Sequence, residues 1–203
     1  MSLKNCLALL FILAFLSFLV QSDFGNVNVK SHTLYSSNNQ YVVYDLYKPS
    51  SASKENKAPF IVVVPGFQRS KEALSNIAIE LSRRGNVVAL IDPYAQGMSS
   101  SSLSRRAATT EGYGMFALID TVSKGNLFDF IDTDKMASTG HSMGGNAAIR
   151  GANYFGREAI RENKKSKLHS VYVSGYVLTL TEKVLEDVRS NVGVSYALYD
   201  EGA

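Results

Sequence analysis

The sequence predicts an α/β domain in which a doubly wound, mostly parallel sheet carries helices on both faces. Residues 60–64 and 86–91 are short, continuously apolar runs rich in β-branched side chains, a pattern typical of strands covered on both faces. Residues 70–84 lie between them and carry apolar side chains at helical spacing, with Ser70 as N-cap and Gly85 as terminator. Because strands and helices alternate with short links, we expect βαβ units and parallel strands.

The remaining elements continue this pattern in both directions. Residues 31–36 and 41–47 are rich in Tyr, Val, Thr and Leu, and the polar link between them predicts an N-terminal antiparallel hairpin. The serine-rich segment 93–110 predicts a loop. Towards the C-terminus the patterns predict strands at 135–139, 168–173 and 192–199 and helices at 112–124, 143–154 and 181–189.

The N-terminus carries a targeting segment. Residues 6–20 are apolar except for Ser17, and Lys4 supplies a positive charge before them. A helix of that run spans about 22 Å, which is shorter than the ~30 Å hydrocarbon core of a bilayer. This length favours a signal peptide, with an uncleaved membrane anchor as the alternative. We therefore divide the chain into residues 1–22, the signal peptide or anchor, and residues 23–203, an exported domain that is secreted or membrane-anchored outside the cytoplasm.

Composition limits the classes of function. Among 203 residues, 21 Lys and Arg face 18 Asp and Glu, so there is no basic stripe for nucleic acid. Hydrophobic residues make up 45% of the chain, which is enough for a buried core. With Cys6 as its single cysteine and three scattered histidines, the sequence predicts neither a disulfide nor a metal site.

A G-x-S-x-G motif, Gly140-His141-Ser142-Met143-Gly144, lies between the predicted strand at 135–139 and a helix that begins with small residues. This context is that of a nucleophile elbow, in which a sharp strand-to-helix turn strains the serine backbone and presents its hydroxyl above the sheet. Glycine at positions 140 and 144 leaves room for neighbouring backbone. The alternative is a glycine-rich turn without chemistry.

With this motif the chain resembles the α/β-hydrolase superfamily, in particular its lipase, esterase and serine-aminopeptidase-like members, from about residue 31 onward. Val64-Pro65-Gly66-Phe67-Gln68 matches the segment that leads into the oxyanion loop, although proline stands where the family usually has histidine. The loop that begins at Asp92 and the strand at 192–199 also match in order. The resemblance implies that Ser142 is the nucleophile, that the backbone N–H groups of Phe67 and Met143 form the oxyanion hole, and that Asp200 is the triad acid.

The pattern breaks at the histidine. In the family the histidine follows the acid, but this chain ends three residues after Asp200. His169 opens a predicted strand at the opposite edge of the sheet, His32 lies on the hairpin, and His141 packs beside the site. We therefore expect a C-terminally truncated hydrolase domain that lacks its base histidine and is inactive or nearly inactive alone.

The resulting functional prediction is a serine hydrolase that cleaves a small-molecule ester, amide or lipid through an acyl-enzyme on Ser142. No cofactor is implied, because the triad mechanism needs none. A non-catalytic hydrolase-like protein that binds a ligand or a partner is the alternative. A membrane-anchored structural protein is a third reading, but it does not explain the elbow.

Overall fold

The computed structural model describes residues 2–36, 39–100, 105–175 and 185–196. Short 3-10 turns cover Asp23–Gly25, Lys71–Leu74 and Gly112–Gly114. The α-helices are α1 (Leu3–Gln21), α2 (Ser75–Arg83), α3 (Arg105–Thr110), α4 (Met115–Ser123) and α5 (Met143–Glu162). The strands are β1 (Val27–Tyr35), β2 (Tyr41–Pro49), β3 (Ala58–Val64), β4 (Val87–Ile91), β5 (Ile131–His141), β6 (Ser170–Ser174) and β7 (Asn191–Ser195).

The strands form a single sheet in the order β1-β2-β4-β3-β5-β6-β7. β1 and β2 pair antiparallel, and β2 also pairs antiparallel with β4. From β4 through β7 every pair is parallel. This arrangement confirms the predicted mostly parallel sheet and its N-terminal hairpin. It also brings the carboxyl ends of β3, β5, β6 and β7 to one edge, where ligands bind in open α/β sheets.

Helices cover both faces of the sheet, as predicted. Along β3, Phe60, Val62 and Val64 pack into the larger core together with α4 and α5. Val63 points to the other face and packs against residues of α2. Because alternate side chains of a strand point to opposite faces, a strand covered on both sides must be apolar throughout. This requirement explains the continuous apolar runs of β3 and β4.

Two elements are longer than the sequence patterns predict. β5 begins at Ile131 rather than residue 135. The sequence pattern missed its first half because that half exposes polar side chains, and only the part from Met136 shows an alternation of buried residues. α5 continues to Glu162 rather than residue 154, and it ends at Asn163, which has a φ of 52°. Asparagine is one of the few residues that adopt this left-handed conformation readily, so it terminates the helix as glycine would.

Two further predictions are wrong in detail. Segment 93–110 is not all loop, because it contains α3. Ser70 does not cap the helix, since a 3-10 turn comes first and the Ser70 side chain makes no capping bond. Its hydroxyl instead hydrogen-bonds the carboxylate of Glu72. Gly85 follows the end of α2 at φ +87°, as predicted. Residues 181–184 of the predicted helix at 181–189 and residues 197–199 of the predicted strand at 192–199 lie outside the described residues.

α1 is longer than the predicted apolar run. It has 19 residues, and at 1.5 Å per residue it spans about 28 Å, close to the ~30 Å hydrocarbon core. None of its residues is buried by the rest of the protein. In the described part of the chain, α1 is the one helix that is long and apolar enough to cross a membrane by length and composition.

Candidate active site

Ser142 occupies the turn between β5 and α5. Its backbone has φ 52° and ψ −117°, a conformation that is rare for a residue with a side chain. Such strain persists only where the surrounding structure enforces it. Ser142 therefore has the sharp, strained backbone that the motif predicts.

The two glycines of the motif allow β5, α5 and β3 to approach closely. A Cβ atom on Gly144 would lie 1.9 Å from the Val64 carbonyl oxygen. A Cβ atom on Gly140 would lie 2.3 Å from the carbonyl carbon of Gly144 and 2.7 Å from the same Val64 oxygen. Any other residue at either position would push backbone against backbone, so this packing holds the turn in place.

Backbone hydrogen bonds also fix the turn. The Ser142 N–H donates to the Ser174 carbonyl oxygen at 3.0 Å, and the Asn146 N–H donates to the Ser142 carbonyl oxygen at 3.1 Å. In the sheet register, His141 pairs with Ser174, which pairs with Ser195. The ends of β5, β6 and β7 therefore lie side by side at the edge that carries Ser142.

The loop after β3 packs directly against this turn. A Cβ atom on Gly66 would lie 3.2 Å from Nδ1 of His141 and 3.4 Å from the Cβ atom of Ser142, so the loop backbone is in close contact with the turn. Phe67 and Met143 line one cavity of ≈ 620 Å³. The buried aromatic side chains of Tyr94 and Tyr113 form part of its wall. The structure thus brings both predicted oxyanion residues to one cavity beside Ser142.

Gln96 connects this loop to the next one. Its amide oxygen accepts a hydrogen bond from the Gln68 N–H. Its amide nitrogen donates to the carbonyl oxygens of Gly66 at 3.3 Å and Arg69 at 3.2 Å. One side chain therefore binds the backbone on both sides of Phe67. No sequence pattern indicated this role, because Gln96 and its partners are far apart in the chain.

The buried carboxylate of Asp92 hydrogen-bonds to the backbone of the segments that follow both loops. Asp92 is 1% exposed, and its carboxylate accepts hydrogen bonds from the Lys71 N–H at 2.8 Å and the Met98 N–H at 3.0 Å. Gly97 lies against this carboxylate, since a Cβ atom there would be 2.3 Å from the carboxyl carbon. Gly97 also has a φ of +55°. A glycine is therefore required where the rim loop wraps around Asp92.

A charged group lies next to these loops. The Lys71 ammonium contacts the carboxylates of Asp45 at 2.8 Å and Glu72 at 3.0 Å. Burial alone would lower the pKa of Lys71, but its hydrogen bonds to Asp45 and Glu72 outweigh burial and raise it. Hydrogen bonds from Ser70 and then from Lys71 lower the pKa of Glu72 to about 2. Lys71 is therefore a structural cation that ties the loop to β2.

Two of the three histidines lie away from Ser142, and the third, His141, packs beside the turn against Gly66. His32 stacks on Tyr44 with ring centroids 5.4 Å apart, on the hairpin. His169 precedes β6, and its N–H donates to the Met136 carbonyl oxygen, so it lies at the opposite edge of the sheet. His141 lines a separate groove on the α2 side. All three are in the described part of the chain, and none lines the cavity of Phe67. Asp200 lies outside the described residues.

Comparison with solved structures defines the class of fold. An α/β-hydrolase from Penicillium is 15% identical, with a TM-score of 0.59 over 74% of this chain and 47% of its own. A hyperthermophilic esterase from Pyrobaculum calidifontis is 20% identical, with a TM-score of 0.59 over 82% of this chain and 52% of its own. Esterase Est22 is 14% identical, with a TM-score of 0.62 over 89% of this chain and 55% of its own. The protein has the α/β-hydrolase fold.

Comparison of the sequence with protein families identifies the family. The chain matches the model of the PETase family, described as PET hydrolase-like, over residues 17–180. The match covers most of the chain, so the protein belongs to this family. No curated protein matches the sequence. The chain spans about half the length of the solved structures that it resembles, from 40% of one to 55% of another.

Proposed function

We propose that this chain is the nucleophile-bearing part of a serine hydrolase that cleaves carboxylic esters. The single observation that carries the proposal is the strained backbone of Ser142, enforced by Gly140, Gly144 and the Val64 carbonyl. A turn without chemistry has no need of a strained serine, whereas a nucleophile elbow does. The family description and the esterases among the structural neighbours favour an ester over an amide.

In the proposed reaction the Ser142 hydroxyl oxygen attacks the ester carbonyl carbon and gives its proton to a base. The backbone N–H groups of Phe67 and Met143 donate hydrogen bonds to the carbonyl oxygen as negative charge forms on it. Met143 is the first residue of α5, where the N–H groups have no partner within the helix and the dipole is positive. The C–O bond then breaks, the alcohol leaves with the proton, and water hydrolyses the acyl-enzyme.

The other triad members are proposed from their places in the chain and the sheet. Asp200 follows the end of β7 by five residues, and the end of β7 is level with that of β5, which supports Asp200 as the acid. We infer that the base is not His32, His141 or His169. These 203 residues alone should then hydrolyse esters very slowly, at the residual rate that an oxyanion hole and binding provide.

One part of the cavity wall fits an apolar or aromatic acyl group. The ≈ 620 Å³ cavity has aromatic and thioether surface from Tyr94, Tyr113, Phe67 and Met143, whereas Gln68, Arg69, Ser70 and Gln96 make the rest of its lining polar. This volume falls within the range of about 300–1,000 Å³ typical of small-molecule sites. We therefore propose esters with an apolar or aromatic acyl group as the substrate class.

We also propose that the domain is exported. Lys4 lies in the first turn of α1, ahead of the apolar run 6–20. A positive charge followed directly by an apolar run of this length is the pattern of a secretory signal segment, which supports translocation of the domain. Export holds equally for a cleaved signal peptide and for a retained anchor.

The direct experiment is hydrolysis of 4-nitrophenyl butyrate by the protein expressed from its own gene. Ser142→Ala should lower the rate by roughly a thousandfold or more, because it removes the nucleophile. Ser170→Ala is the matched control, since Ser170 is exposed at the opposite end of a neighbouring strand, and it should leave the rate unchanged. An unchanged rate in Ser142→Ala would refute the assignment. A folded protein without turnover would favour a ligand-binding function.

A further inference from the structure

The junction between α1 and the domain has a defined structure. Ser22 is 7% exposed, and both its N–H and its hydroxyl donate to the Phe18 carbonyl oxygen, at 2.9 and 2.8 Å. The Ser22 carbonyl oxygen accepts from the N–H groups of Gly25 at 3.0 Å and Val27 at 2.9 Å. Val27 is the first residue of β1. The helix is thus joined to the sheet by one hydrogen-bonded turn and not by a linker.

Arg83, at the end of α2, contacts residues on both sides of the same junction. Its guanidinium donates to the Val20 carbonyl oxygen at 3.3 Å and forms an ion pair with Asp23 at 3.0 Å. Phe18 and Val20, in the last turn of α1, line a groove of ≈ 660 Å³ together with Val29 of β1 and residues of α2. The orientation of the domain relative to α1 is therefore set by side-chain contacts.

The surface of α1 fits a lipid environment. A helix that is apolar all round is stable only when it is buried or placed in a membrane, and the described domain buries none of α1. Its apolar residues 6–20 span about 22 Å, and with the polar residues at its two ends the helix is about 28 Å long, close to the ~30 Å hydrocarbon core. The headgroup layer adds roughly 5–7 Å on each side, which is about one helical turn. The domain surface that contacts the last turn of α1 would then lie at headgroup depth.

Phe24 adds an independent observation. This side chain is 72% exposed directly after α1, and its backbone has φ 55° and ψ 32°, a conformation that is unusual for an aromatic residue. Phenylalanine is one of the apolar side chains by which interfacial segments insert at the boundary between lipid headgroups and acyl chains. The strained backbone thus holds an exposed phenylalanine at the end of α1, where the headgroup layer would begin, and this placement supports insertion of Phe24 between lipid headgroups.

We propose that α1 is retained as a membrane anchor and that one face of the domain rests in the headgroup layer of the bilayer. We call this the junction face and define it by Phe24, Val29 and Arg83. Arg83 sets the orientation, so the candidate active site is held at a fixed height above the lipid. This proposal does not depend on the chemistry of Ser142.

Single tryptophan variants test the proposal, because the sequence contains no tryptophan. The full chain would be reconstituted in phosphatidylcholine vesicles with and without brominated acyl chains, which quench nearby tryptophan. Phe24→Trp should lose more than about half of its emission in brominated vesicles, since its depth is interfacial. Tyr154→Trp is the matched control: Tyr154 is 51% exposed on α5, on the other side of the sheet, and should not be quenched. Equal quenching in both variants, or none in Phe24→Trp, would overturn the proposal.

A second pair of variants tests the role of Arg83. Val29→Trp should be quenched in the otherwise unchanged chain and should lose most of that quenching when Arg83→Ala is added. Arg84→Ala removes the same charge from the neighbouring residue, which pairs with Glu80 and not with the junction, and should leave the quenching intact. If Arg83→Ala fails to fold, Asp23→Asn removes the other half of the ion pair. Quenching that persists without the pair refutes the orienting role.

Retention of the anchor is measured separately by the intact mass of the protein made in its own cells. A mass that includes residues 1–22 supports the proposal. A mature protein that begins near Asp23 would overturn it, whatever the vesicle measurements show.

Discussion

Gly144→Ala tests the close packing on which the elbow depends. The new methyl carbon would lie 1.9 Å from the Val64 carbonyl oxygen, whereas real Cβ contacts essentially never fall below 3.0 Å. β3 and α5 must therefore separate by more than about 1 Å, or Ser142 must leave its conformation. Overpacking a core usually costs 1–3 kcal/mol, and a backbone clash places this variant at about 3 kcal/mol or more. For a protein of this size the melting temperature should fall by roughly 6–12 °C.

Gly151→Ala in the same helix is the matched control. Its methyl carbon would lie 2.5 Å from the Met115 methyl group and 3.2 Å from side-chain atoms of Leu168 and Phe116, so it meets side chains, which can move, and not backbone. Alanine also gains up to about 1 kcal/mol of helix propensity over glycine, so the net change should stay within about 1 kcal/mol. Thermal unfolding followed by circular dichroism measures both variants. If Gly144→Ala were as stable as Gly151→Ala, the close approach to Val64 would be wrong.

Three further predictions concern the loops beside Ser142. Gln96→Ala should speed amide hydrogen exchange at Gln68 by removing its acceptor, and exchange as slow as in the unchanged protein would refute the bracing role of Gln96. Glu72 has a folded pKa of about 2 against an ordinary 4.5, so its contribution to stability is present above pH 4.5 and is lost as the pH falls towards 2. In Glu72→Gln the free energy of unfolding should therefore fall less steeply between pH 4.5 and 2. Because Glu72 is mostly exposed, the difference should be less than about 1 kcal/mol, and an unchanged dependence on pH would contradict the lowered pKa of Glu72. Asp45→Asn should lower the free energy of unfolding in urea by about 2 kcal/mol, because the buried Lys71 ammonium keeps only the exposed Glu72 as a carboxylate partner, and adding Lys71→Met should restore much of the loss.

The sequence predicted those parts of the fold that depend on residues close together in the chain, namely the buried strands and the turn at Ser142. β3 and β4 are apolar throughout because both of their faces are covered, and the composition alone reveals this. The elbow was predictable for a similar reason, since Gly140 and Gly144 flank a serine at a strand-to-helix turn. In each case the signal lies within a few neighbouring residues.

Long-range contacts account for what the sequence did not reveal. Gln96 bonds to Gly66 and Arg69 across a separation of 30 and 27 residues, and no spacing rule predicts such a pair. The polar first half of β5 becomes a strand only because it pairs with the start of β3, which a single-strand pattern does not contain. The helical extent of α1 beyond its apolar run was missed because polar residues at each end continue the backbone hydrogen bonding.

The central claim is that Ser142 is an activated nucleophile, and covalent labelling tests it most directly. The protein would be isolated from the cells that make it, treated with a fluorophosphonate probe and digested, and the modified residue located by mass spectrometry. We expect a single phosphonylated residue, Ser142, and no labelling of the Ser142→Ala variant. Folded protein without an adduct, or an adduct on a different serine, would contradict it.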